Sequence, residues 1–167
     1  MSDAIKKLTI EGFKSIRKLD FEPRSLNIMI GANGAGKSNF VSFFRLLREM
    51  IEQRLKFAIS TEGGAEACLY MGRKMTKEIV AKLYFGDNGY EFALRPTADN
   101  LLVFSDESTF FNGRFGPVRQ SLGSGHVEAK LKDLKDDPGD RGARHGVPYY
   151  VFNAVSSWVV YHFHDTS

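Results

Sequence analysis

Cysteine is almost missing from this chain of 167 residues: Cys68 stands alone, so no internal disulfide can form and a reducing, cytoplasmic compartment is expected. No apolar run approaches the length needed to cross a bilayer, and residues 1–7 lack the apolar stretch of a secretion signal, so no membrane association is expected. A large excess of either charge is lacking as well. With 23 Lys and Arg against 20 Asp and Glu, the net charge is only +3 and the isoelectric point is near 9.0, which permits contact with nucleic acid without requiring it. Arg17, Lys18, Arg24, Arg45 and Arg48 are spread out rather than gathered into a track, and no aromatic and basic stacking platform is legible. Internal repeats and low-complexity tracts are also absent. What the chain does have is apolar material, 43% of residues with 14 Phe, enough for the core of about one domain.

One stretch carries specific chemistry. Gly31-Ala32-Asn33-Gly34-Ala35-Gly36-Lys37-Ser38 satisfies the phosphate-binding P-loop pattern G-x-x-x-x-G-K-S/T at every constrained position. Glycines let the backbone curl so that successive N–H groups converge on an anion. Lys37 then reaches the β- and γ-phosphates, the Ser38 hydroxyl can ligate Mg²⁺, and the following helix contributes the partial positive charge of its N-terminus. The motif needs a strand before it and a helix after it. Leu26-Asn27-Ile28-Met29-Ile30 is an apolar run of strand length ending at Gly31, and Phe40, Phe43, Phe44, Leu47 and Ile51 recur at helical spacing beyond Asn39. A chance glycine-rich turn would not be expected to carry both flanks. A nucleotide is the implied ligand, and no Asn-Lys-x-Asp motif directs the reading to guanine.

The remaining pattern predicts an α/β chain. Residues 8–13 and 16–21 read as two strands joined through Lys14-Ser15, with Pro23 ending the second. Residues 61–64 read as a loop, and 67–71, 78–85 and 90–94 as strands, with Asp87-Asn88-Gly89 supplying hairpin-turn chemistry. Residues 101–104 and 108–111 continue that antiparallel sheet. Composition shifts at Gly113 toward Gly, Asp, Lys and Arg, with a short helix over 127–134 and a mobile polar surface loop over 135–142. Pro148 suits the first turn of a helix running to about Ser157, and residues 158–163 read as a closing strand. The expected organisation is a P-loop core over 1–60, an antiparallel lobe over 61–112, a loop with a short helix over 113–146, and a helix plus strand over 147–167.

Several further groups invite a chemical role. Leu101-Leu102-Val103-Phe104-Ser105-Asp106-Glu107 imitates a Walker B strand, whose terminal acids hold Mg²⁺ and polarise water. Ser105 interrupts it and its neighbours read as hairpin strands, so a strand end with solvated acids is the preferred reading. Ser121-Leu122-Gly123-Ser124-Gly125-His126 has the composition of an ABC signature in the wrong residue order, and reads as a loop and helix entry. His162 and His164 alternate on the closing strand with Asp165 beside them, which could begin a metal site but supplies too few ligands.

The P-loop with Asn33 inside it and Asn39 after Ser38, preceded by Ile10-Glu11-Gly12-Phe13-Lys14-Ser15-Ile16, resembles the ATP-binding head of the ABC-type ATPases of the SMC and RecF group. The closing Trp158-Val159-Val160-Tyr161-His162-Phe163-His164-Asp165-Thr166-Ser167 is similar to a block in stand-alone bacterial ATPases of RecF-like type. The resemblance implies the first lobe of an ABC ATPase: a mixed sheet, an antiparallel sub-lobe and the P-loop helix. It also implies ATP and Mg²⁺ as cofactors, Gly31 to Asn39 as the phosphate site, and Lys14 and Ser15 in a turn that approaches the phosphates. In that group two heads sandwich two nucleotides, each P-loop facing the partner's signature motif, so the full-length protein would form a head-to-head homodimer. Signature, Walker B pair and switch histidine fall in that group beyond the segment matched here. The chain is therefore expected to be the N-terminal half of the head, binding ATP without efficient hydrolysis. A glutamine that touches Mg²⁺ and attacking water in such heads has no counterpart here, leaving His164 or Asp165 as substitutes. DNA is a partner by the same analogy, in repair or in defence against foreign DNA.

Two rivals remain open from the sequence. One is a complete small P-loop kinase or phosphotransferase with a lid at 123–146, and the other is a non-catalytic nucleotide-binding module.

Overall fold

A computed structural model describes residues 4–114, 116–137 and 145–159. Six strands form one sheet: β1 (Lys7–Phe13), β2 (Ile16–Phe21), β3 (Ile79–Phe85), β4 (Asn88–Pro96), β5 (Leu102–Gly113) and β6 (Gly116–Gly123). Their spatial order is β2-β1-β3-β4-β5-β6, with every neighbouring pair antiparallel. Alternation explains the inner strands. In β3, Ile79, Ala81, Leu83 and Phe85 turn inward, which the period of two dictates for a sheet with one covered face.

That face is covered by helices. α1 (Lys37–Ile51) buries Phe43, Leu46, Leu47, Met50 and Ile51, while α2 (Leu55–Thr61) adds Leu55 and Ile59. α6 (Val147–Ser156) contributes Val151, Ala154 and Val155, and short helices α3 (Ala65–Cys68), α4 (Gly72–Met75) and α5 (Leu131–Leu134) complete the connections. Phe43 meets Phe13 edge to face at 5.6 Å, and Trp158 lies against Phe44 at 5.2 Å and Phe85 at 6.0 Å. Aromatic contacts thus bind α1 and the end of α6 to the sheet.

The structure corrects several expectations. Residues 67–71 are not a strand: they run out of α3, and only Leu69 makes a bridge, to Phe13. The hairpin turn between β3 and β4 is Gly86-Asp87, with Asn88 and Gly89 inside β4 and Asn88 paired to Phe85. Gly89 is there for space, because a Cβ on it would sit 1.8 Å from the ring of Phe110 on β5. The two strands expected over 101–111 are one, interrupted by a bulge at Ser105, where Ala93 faces Asp106 and Leu94 faces Phe104. β6 and α2 carry no warning in the sequence reading, and α5 is shorter than its predicted span.

The sheet was expected to be mixed, with residues 26–30 as the parallel strand leading to the P-loop. Among the described residues it is antiparallel throughout, and residues 26–30 lie outside it. The Asn27 side chain instead closes a loop on Arg24, accepting from its N–H at 3.0 Å and donating to its carbonyl at 2.8 Å. Leu26, Ile28 and Ile30 are left 73%, 74% and 93% exposed. The polar loop over 138–142 and the closing strand beyond Val159 lie outside the described residues. No helix among the described residues is long and apolar enough to cross a membrane.

Candidate nucleotide site

The loop over residues 31–36 delivers the chain into α1, and Gly34 and Gly36 adopt φ of 86° and 89°, a region that side chains with a Cβ enter only at a cost. Gly36 is also crowded, since a Cβ there would approach the Ser15 hydroxyl to 2.9 Å. It forms the N-cap of α1 with no capping side chain, and the first turn holds no acidic residue. The first amides of a helix have no partner inside the helix, so this start presents N–H groups and the positive end of the dipole to an external anion.

Lys37 turns back into the loop. Its Nζ donates to the carbonyls of Gly31 at 2.5 Å and Ala32 at 2.9 Å, while Ala35 N–H donates to Ala32 O at 3.1 Å. A phosphate entering the loop would compete with those carbonyls for the ammonium, a stronger partner because both are charged. Ser38 is exposed one residue further along α1, where its hydroxyl could ligate a Mg²⁺ that accompanies the phosphates. Asn33 lies in the turn of the same loop, and the Asn39 amide donates to the Ser15 hydroxyl at 2.7 Å.

That last bond brings the β1–β2 turn to the P-loop. Lys14 holds φ of 47° at its tip, and its Nζ pairs with Glu62 at 2.6 Å. Gly31 to Asn39, Lys14 and Ser15 are therefore gathered at one end of α1. His164 and Asp165 lie outside the described residues, as does His162. Among the described residues no group of three or more His, Cys, Asp or Glu could hold a metal ion by itself, so a Mg²⁺ here would depend on Ser38 and the phosphates it accompanies.

The acidic pair on β5 is not the solvated strand end the sequence suggested. Both acids sit in the middle of a paired antiparallel strand, on opposite sides of it. Asp106 pairs with Arg119 of β6 at 2.6 Å. Glu107 is fully buried, where it accepts from Tyr90 Oη at 2.8 Å, from Lys130 N–H at 3.1 Å, and meets His126 Nε2 at 2.7 Å. The His126 ring stacks on Phe104 at 4.7 Å, so this carboxylate anchors the loop after β6 to the sheet. Sequence reasoning missed the network because its members lie far apart in the chain. The 121–126 stretch likewise does not open a helix: it ends β6 and feeds the Glu107 anchor, and α5 begins only at Leu131.

A glycine-rich loop with a conformation reserved for glycine, an inward lysine and an uncapped helix start define a P-loop nucleotide-binding domain. A family model described as "AAA domain, putative AbiEii toxin, Type IV TA system" matches residues 26–133, about two thirds of the chain, and the chain belongs to that family. It is a P-loop ATPase-like domain, of a class that uses ATP and usually Mg²⁺. No curated protein matches the chain.

Proposed function

We propose that this chain is the Mg-ATP-binding portion of a RecF-like ABC ATPase, with Gly31 to Asn39 holding the phosphates and Ser38 the metal. The observation that carries the reading is the start of α1: positive-φ glycines, no capping side chain, no first-turn acid, and Lys37 folded over the loop. Support for the RecF-like assignment comes from the β1–β2 turn, whose Ser15 hydroxyl accepts from the Asn39 amide beside the P-loop. In full length the protein hydrolyses ATP, dimerises head to head around two nucleotides, and acts on DNA in repair or in anti-phage defence. Of these two roles, the toxin in the family's description sits closer to defence.

Hydrolysis by this chain alone is expected to be negligible, because Asp106 and Glu107 are committed to Arg119 and to the Tyr90–His126 network. The rival kinase reading needs one of these acids at the metal. Steady-state phosphate release separates the two. We expect binding of Mg-ATP with turnover near background, unchanged by Asp106→Asn; sustained turnover abolished by that substitution would favour the kinase.

A further inference from the structure

A cleft of about 520 Å³ opens beside the P-loop, between the β1–β2 turn, the first turn of α1 and the segment that follows α3. Its walls include Lys14, Ser15, Asn39, Glu62, Tyr70 and Met71. The far wall is built with care. Lys14 N–H donates to Cys68 O at 2.8 Å, Tyr70 N–H donates to Gly12 O at 2.9 Å, and Leu69 bridges Phe13, so the 68–70 segment is laced to the turn that touches the P-loop.

Met71 is unusual in two respects. It holds φ of 56° without being glycine, and its apolar side chain is 69% exposed. A non-glycine residue held at positive φ is a strained backbone position, and such positions concentrate at ligand sites. The polarity of the P-loop says which use. Its lysine reaches the β- and γ-phosphates and its amides run on to the α-phosphate, so the nucleoside leaves the loop on the side away from the lysine tip. Asn39, two residues beyond the lysine in the first turn of α1, lines the cleft and donates to the Ser15 hydroxyl.

We infer that this cleft receives the nucleoside of the bound nucleotide, with the base laid against Tyr70 and Met71 and the Lys14–Glu62 pair beside the sugar. The inference rests on the nucleotide-binding reading above. It adds the residues that distinguish a nucleotide from a bare polyphosphate. Aromatic and thioether groups suit this task, since a base offers a flat polarisable face and stacking tolerates many orientations. Glu62 supplies an acceptor for sugar hydroxyls, and Lys14 offsets its charge near the phosphates.

The test compares Mg-ATP with Mg-tripolyphosphate in equilibrium binding to the whole chain. The unaltered chain should prefer ATP, and Tyr70→Leu should narrow the preference by roughly tenfold while leaving tripolyphosphate affinity unchanged. Tyr70 is half-buried, so Met71→Gly serves as a second variant: glycine accepts this φ without strain, and the fold is kept. It should narrow the preference by roughly fivefold. An ATP preference that survives both substitutions overturns the base site while leaving the phosphate site standing. Failure of both ligands to bind the unaltered chain overturns the phosphate site and the base site with it.

Discussion

At the scale of single residues, burial decides the chemistry more than residue type does. Glu107 imitates a catalytic acid in the sequence, but the bulge at Ser105 resets the alternation of β5 so that Phe104 and Glu107 both face inward. Burial likewise raises the cost of ionising Tyr90 and Cys68. Burial, followed by the charge of Glu107, pushes the Tyr90 hydroxyl well above its usual value of 10.0, and burial pushes the Cys68 thiol from 9.0 up to about 11. Both groups keep their protons in the folded chain at a pH where the unfolded chain has released them. Stability should therefore be undiminished below about pH 9 and fall as pH rises from 9 through 11. Urea denaturation at stepped pH checks this: Cys68→Ala should flatten the slope between pH 9 and 11 by up to about 2 kcal/mol, and an unchanged slope would show the thiol is not shielded.

At the scale of elements, the legible ones were those whose pattern is local. α1 shows its apolar face at helical spacing, β3 alternates, and the P-loop is contiguous, so each could be read directly from neighbouring residues. The illegible ones take their definition from distant partners. β6 is exposed over most of its length and carries Pro117, which an edge strand tolerates but which erases the apolar alternation that announces a strand. The Asn88-Gly89 dipeptide looks like a turn, yet the Phe110 ring from β5 claims the space above Gly89 and places the pair in β4. α2 starts without a capping side chain of its own. Glu128 supplies the cap from far along the chain, its carboxylate accepting from Leu55 N–H at 2.7 Å and Lys56 N–H at 3.1 Å. Glu128→Ala should cost about 1–2 kcal/mol in chemical denaturation, as loss of a helix cap does, while Glu128→Gln should recover part of it. Equal stability of all three chains would show that the cap contributes nothing.

At the scale of the whole molecule, the candidate site lies between a well-packed antiparallel body and an uncovered apolar strip. The lysine and glycines were legible; the cleft lined by Tyr70 and Met71 was not, because residues 67–71 read as a strand when they are a helix exit held by the β1–β2 turn. Residues 26–30 leave Leu26, Ile28 and Ile30 in solvent, exposed apolar groups of the kind that bind dyes and other chains. Replacing Leu26 and Ile28 with serine should lower fluorescence of a hydrophobic dye on the native chain by about half and leave the melting temperature within a few degrees. A large fall in melting temperature would mean that the strip is packed, contrary to its exposure.

The central claim is the grip of the loop at residues 31–38 on a nucleotide's phosphates, and isothermal calorimetry with Mg-ATP tests it most directly. The unaltered chain should release measurable heat with one site per chain, and Lys37→Ala should weaken binding by at least about tenfold while the chain stays folded by circular dichroism. Heat of binding that is identical with and without the Lys37 ammonium, or no heat at all from well-folded chain, would contradict the account.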